Sequence, residues 1–150
     1  MKYPKLLLDT DVFVDYLVNS KSYLLNEAAS KFILYTTVLN SAELYGAVAD
    51  ENEKDAVDKT LLPVKLLGFS GRYGEKFGEF YSSSLKSDSE SSLRDAMFVG
   101  TAIMNKLPVL TLQRVRYGCF EAAMFVESGL FGTGLSASEI FRRSNIEIDA

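Results

Sequence analysis

Asp9, Glu43 and Asp95 are the residues of this chain whose type and setting are best suited to chemistry. Asp9 ends the apolar run Lys5-Leu-Leu-Leu-Asp9, while Glu43 and Asp95 lie among apolar residues of two predicted helices. An ionised carboxylate moved into an apolar setting loses several kcal/mol of hydration, so it is usually paired, protonated or bound to a cation. Three such acids together point to a cation site. Hard oxygen donors of this kind suit Mg2+ or Mn2+.

The absence of histidine excludes a good deal. A Ser-His-Asp triad, a Cys-His pair and imidazole acid-base catalysis are impossible within this chain. Zinc is disfavoured too, because its protein sites are built mainly from His and Cys, and Cys119 is the single cysteine. Carboxylate chemistry remains.

The elements that must position these acids alternate in type. Lys5 to Asp9 has the pattern of a buried strand, and Asp9-Thr10-Asp11 supplies cap-type residues before a helical run from Val12 to Val18. Phe32 to Thr37 reads as a second strand, and Asn40-Ser41 as the start of a helix through about Ala49, with Glu43 in its first turn. An acidic helix around Asp50 to Thr60 precedes a short strand near Val64 to Leu67 and an aromatic amphipathic helix from Ser70 to Ser84. The serine-rich stretch from Ser82 to Ser92 reads as a loop. It leads to a helix from about Ser91 to Asn105 carrying Asp95, then a strand from Val109 to Leu112. Glu121 to Val126 fits helix or strand, and Ser136-Ala-Ser-Glu139 is a capping box opening a short helix to about Arg143. Such alternation predicts an α/β fold around a mainly parallel sheet of four or five strands, whose carboxyl edge gathers ligands. Asp9 lies at that edge, with Glu43 and Asp95 near helix starts. Glu43 shares a helix face with Leu39, Gly46 and Ala47, and Asp95 with Phe98, Val99 and Ala102, so both acids are expected to face inward.

Length and composition fit one compact domain over residues 1–150: the chain has 150 residues, 47% of them hydrophobic, enough for a packed core without disulfides. A lone cysteine gives no sign of an oxidising compartment and favours the cytoplasm. The apolar run after Met1-Lys2 is too short for a signal peptide, and no segment approaches membrane-spanning length, so no membrane partner is expected. A formal net charge of −4 argues against a general nucleic-acid coat protein but not against a nuclease, whose bound cation reverses the local field.

Each acid also has a plain structural role open to it. Asp9 or Asp11 suits the cap of the first helix, and Glu43 and Asp95 suit the positive end of a helix dipole. The joint occurrence of all three near one sheet edge is what favours a site.

The motifs themselves resemble a known family. Leu7-Leu-Asp9-Thr-Asp11-Val-Phe-Val-Asp15-Tyr-Leu17 is similar to the opening of a PIN domain. Ser41-Ala-Glu43-Leu-Tyr-Gly46-Ala47 resembles the helix that supplies the family's glutamate, and Arg94-Asp95-Ala-Met-Phe-Val-Gly-Thr-Ala102 the helix that supplies its next aspartate. Leu107-Pro-Val-Leu-Thr111-Leu-Gln113 resembles its final strand, so the similarity spans roughly residues 5 to 117.

This resemblance implies a three-layer α/β/α PIN-like fold and a VapC-like toxin ribonuclease of a toxin-antitoxin pair, cutting RNA with Mg2+ or Mn2+ held by Asp9, Glu43 and Asp95. Such an ion makes the water it holds more acidic and offsets charge on the phosphoryl oxygens. The family usually places Asn or Asp where this chain has Gln113, a longer and neutral ligand, and Asp11 offers compensation from outside the ligand set. Arg94, Arg114 and Arg116 are candidate phosphate contacts, with Arg94 foremost. The helix bearing Tyr73, Phe77, Phe80 and Tyr81 suits core packing, or an antitoxin-binding surface. The resemblance also implies a homodimer. Two rivals stand beside it. One is a PIN-fold binding module with weakened catalysis, motivated by Gln113 and the acidic pI. The other is a haloacid-dehalogenase-type phosphohydrolase with Asp9 as nucleophile and Asp11 as acid-base, against which Val12-Phe13 stand where that family has Gly-Thr.

Overall fold

The computed structural model of the chain describes residues 3–147; the outermost residues of the expected 1–150 domain therefore lie outside the described part. Strand β1 (Lys5–Leu8) lies between β2 (Ile33–Thr37) and β4 (Val109–Leu110), and β3 (Lys65–Leu67) flanks β2, giving the order β3-β2-β1-β4. All pairings are parallel: Leu7 lies opposite Tyr35 on one side and Val109 on the other. The expected sheet thus has four strands, and the ambiguous segment before Val126 adds only an isolated parallel bridge between Phe125 and Val109.

Helices cover both faces, which explains why β1 is apolar at consecutive positions rather than alternating ones. Leu6 and Leu8 point into a core with helices α1 (Thr10–Val18), α2 (Leu24–Lys31), α3 (Val38–Gly46), α4 (Glu51–Leu61) and α7 (Ala137–Arg143). Leu7 points the other way, into a core with α6 (Leu93–Met104) and the ring-rich segment around Tyr117, Phe120 and Phe125. Helix α5 (Gly74–Ser87) packs along α6 and contributes Phe80 and Tyr81 to the margin of that second core. Leu6, Leu7 and Leu8 are fully buried, and each such leucine stabilises the fold by roughly 1.5–3 kcal/mol. The architecture is three-layer α/β/α.

Several element boundaries differ from those expected. Helix α3 starts at Val38 because Thr37 caps it: the Thr37 side chain accepts from Asn40 N and the Asn40 side chain from Thr37 N. Glu43 consequently lies beyond the first turn, and its helix face is more exposed than expected, since Glu43, Gly46 and Ala47 are all exposed. Helix α5 runs through Ser87, consuming half of the expected serine loop, because Ser84 is buried and its hydroxyl bonds back to the Tyr81 carbonyl. The last strand stops at Leu110, freeing Thr111 to turn toward Asp9. Helix α2 has no counterpart in the sequence reading. It is short and has no side-chain cap, and it is held by burial of Leu24, Leu25 and Ala28. The capping box at Ser136 opens α7 as expected.

Candidate active site

Three strand ends build the floor of the site. Asp9 follows β1, Thr37 ends β2 and Thr111 follows β4, so the carboxyl edge of the parallel sheet delivers all three to one place. Asp9 is also the N-cap of α1, accepting from Thr10 N at 2.8 Å. It is nearly fully buried and both of its oxygens are engaged: Oδ2 accepts from the Tyr117 hydroxyl at 2.6 Å and the Thr111 hydroxyl at 2.9 Å, and Oδ1 accepts from Arg94 Nη2 at 2.9 Å.

The other two acids arrive on helices. Asp95 enters through the first turn of α6, whose start is set by the Ser92 side chain accepting from Asp95 N. It is buried, against Phe98, Val99 and Ala102 on the same inward face, as expected. Glu43 comes from α3 and sits at the rim, where Thr10 donates its hydroxyl to Oε1 at 2.7 Å. Asn40, one turn earlier on the same helix, donates to the Thr10 oxygen at 2.9 Å. The capping of α3 therefore helps to place Glu43.

Arg94 joins the three acids. Its Nη2 donates to Asp9 Oδ1 at 2.9 Å and Glu43 Oε1 at 2.7 Å, its Nη1 reaches Asp95 Oδ1 at 3.3 Å, and Nη1 also donates to the Tyr117 oxygen at 2.6 Å. Arg116 grips Asp95 from the other side with Nε on Oδ2 at 2.9 Å and Nη2 on Oδ1 at 2.8 Å. The acids thus converge, but on an internal cation. Among the described residues, no three acidic side chains are disposed to hold a metal ion as they stand. The donor set is nevertheless that of a hard cation: carboxylate oxygens, with no imidazole or thiolate.

Electrostatics follows the packing. Burial is the largest influence on Arg94 and pulls its pKa down, yet the bonds to Glu43 and Asp9 outweigh it, and the guanidinium stays charged. Arg116 is held charged chiefly by its bond to Asp95. Burial, reinforced by the Asp9 charge, pushes the Tyr117 hydroxyl far above the ordinary tyrosine range, so it remains a neutral donor. Asp11 is also raised, first by burial and then by the neighbouring Asp9 charge. Its Oδ2 accepts from Leu112 N at 3.1 Å and lies 3.1 Å from the Thr111 hydroxyl, whose one proton it shares with Asp9, whereas its buried Oδ1 has no partner among the described residues.

A cleft of about 250 Å3 opens over this cluster, lined by Asp9, Asp11, Glu43, Arg94, Gln113 and Arg116 together with Thr10 and Val14. Gln113 lies on its wall with its side chain toward Arg116 at 3.5 Å rather than bonded to an acid. Arg114 is placed elsewhere: it pairs with Glu127, stacks over Phe125 and does not line the cleft. Tyr117, Thr111 and Asn40 escaped the sequence reading as site residues. Thr111 lies inside the Leu107–Gln113 motif and Asn40 at the expected start of the helix carrying Glu43, but a lone tyrosine at the end of a 3-10 turn, Arg114–Tyr117, carries no local signal.

No family model matches the sequence, and no curated protein matches it either. Solved structures do match in fold. A chain of DNA-bound VapBC from Salmonella typhimurium superposes with a TM-score of 0.71 at 17% identity, covering 83% of this chain and 98% of that one. VapBC-1 from nontypeable Haemophilus influenzae gives 0.68 at 16% identity, over 83% and 98% of the two chains. A toxin-antitoxin complex from Klebsiella pneumoniae gives 0.62 at 14% identity, over 82% and 97%. With a parallel sheet in the order β3-β2-β1-β4, helices on both faces and acids at its carboxyl edge, this chain has the fold of a VapC-like PIN domain.

Proposed function

We propose that this chain is a toxin-type nuclease that hydrolyses RNA phosphodiesters with Mg2+ or Mn2+ and is held in check by an antitoxin protein. The observation that carries the proposal is the meeting of Asp9, which follows β1, Glu43 of α3 and Asp95 of α6 around Arg94, beside a cleft that Asp9, Glu43 and Arg94 line. The VapBC and toxin-antitoxin complexes that share the fold support the toxin role and the protein partner. Cytoplasmic action on RNA belongs to the same proposal, and no helix among the described residues is long and apolar enough to cross a membrane. Homodimer formation is part of it as well.

Asp9, Glu43 and Asp95 would hold the cation, which when bound acidifies water and offsets phosphoryl charge. The chain's own groups supply the rest. Tyr117 and Thr111 fix the orientation of Asp9 through its Oδ2, and Arg116 fixes Asp95 through both oxygens. Arg94 and Arg116 bring positive charge to the cleft wall, where an RNA phosphate approaches. Gln113 offers an amide to the same cleft.

The test is cleavage of structured RNA by purified protein with Mg2+ or Mn2+, beside Asp95→Asn and an EDTA control. Wild type alone should cleave. Equal cleavage by Asp95→Asn would mean that the site is misassigned or the activity is a contaminant. One observation favours a second reading, a binding module with weakened catalysis: Arg94 already pairs with all three carboxylates. That reading requires RNA or antitoxin binding by a folded protein that does not bind Mn2+.

A further inference from the structure

We infer that Arg94 is the resident counter-ion of the carboxylate cluster and that a divalent cation must compete with its guanidinium for the same oxygens. The inference rests on the metal-dependent reading above. Arg94 touches at least one oxygen of every proposed ligand: Asp9 Oδ1 at 2.9 Å, Glu43 Oε1 at 2.7 Å and Asp95 Oδ1 at 3.3 Å. A guanidinium spaces its acceptors at hydrogen-bond length, whereas Mg2+ draws oxygens to about 2.0–2.1 Å. Carboxylates spaced by a guanidinium are held wider than they would be around one small ion, and among the described residues no three acids are disposed to hold an ion as they stand. They can close in only when Arg94 leaves.

Leaving is not free. Nη1 donates to the Tyr117 oxygen at 2.6 Å, Nε reaches Glu43 Oε2 at 3.3 Å, and the guanidinium lies 5.2 Å from the Phe98 ring centre. The apparent affinity for a cation falls in proportion to the fraction of molecules in which this seat is vacated. Arg94 also lines the cleft, so a displaced guanidinium has open space to turn into. Arg116 is differently placed. It holds Asp95 alone among the three acids, from the outer side, and its side chain is 41% exposed against 17% for Arg94. It serves as the comparison.

The experiment is a Mn2+ titration, read by loss of the free-ion electron paramagnetic resonance signal, on wild type, Arg94→Gln, Arg116→Gln and Asp95→Asn, each checked for folding by circular dichroism. A second measurement follows the arginine side-chain 15N–1H resonances of wild type as Mg2+ is added. We expect Arg94→Gln to bind Mn2+ at least roughly tenfold more tightly than wild type, Arg116→Gln to gain less and Asp95→Asn to bind more weakly. The Arg94 resonance should be protected without Mg2+ and shift or vanish at saturation. Unchanged or weaker Mn2+ binding by folded Arg94→Gln, an equal gain in Arg116→Gln, or an undisturbed Arg94 resonance in Mg2+-saturated protein would overturn the competition while leaving the metal site intact. Absence of Mn2+ binding in both folded wild type and folded Arg94→Gln overturns the metal reading, and the competition with it. Should Arg94→Gln not fold, the resonance measurement on wild type decides.

Discussion

At the residue scale, Asp9 is the hub of the site. It is buried, it caps α1, and it accepts hydrogen bonds from Tyr117, Thr111 and Arg94. A buried carboxylate survives only if such partners replace the water it has lost. Tyr117 is the most telling of them, because its hydroxyl donates to Asp9 and accepts from Arg94 while its ring is fully buried beside Phe98 and Phe125. Tyr117→Phe keeps the ring and removes only those two bonds. We expect it to lower the unfolding free energy by about 1–3 kcal/mol, measured by urea denaturation in the absence of divalent ions. An unchanged denaturation midpoint would show that the hydroxyl does not support Asp9.

At the scale of elements, helix starts do the positioning. Ser92 caps α6 and sets Asp95 in its first turn, while Thr37 and Asn40 cap α3 reciprocally and so align Asn40 and Glu43 toward Thr10. Thr37 is fully buried, so its loss is not made good by water. Thr37→Ala should destabilise the protein by about 0.5–2 kcal/mol, and Thr37→Ser should recover most of that in the same thermal or urea unfolding assay. Failure of serine to rescue would assign the loss to the missing methyl group rather than to the cap. Helix α5 packs along α6, the helix that carries Arg94 and Asp95, with Phe77 buried and Phe80 and Tyr81 turned toward the second core.

At the scale of the whole molecule, the sheet separates two cores, and β1 feeds both. Leu6 and Leu8 belong to one core and Leu7 to the other, yet all three precede Asp9 directly. Packing on either face therefore fixes the strand that presents the site. Leu7→Ala, at a fully buried position, should cost about 2–5 kcal/mol in unfolding free energy through lost burial and the cavity left behind. A loss well under this range in equilibrium unfolding would mean that the second core is loosely packed and does not hold β1 in place.

The sequence by itself determined the α/β class, the candidate acids and the exclusion of imidazole chemistry, because apolar periodicity, cap residues and the absence of a residue type are local properties. The run Lys5 to Asp9 read as a buried strand, and Ser136-Ala-Ser-Glu139 as a helix start, without any tertiary information. Helix α2 was illegible because its eight residues have no side-chain cap and owe their order to burial against distant elements. Only the tertiary structure decided that Arg94 sits between three carboxylates, that Arg114 turns away to Glu127, and that Tyr117 reaches Asp9 across 108 positions of chain. Side-chain direction and long-range pairing arise from packing the whole chain, and neighbouring residues in sequence, such as Arg94 and Asp95, do not reveal that they will share one set of partners.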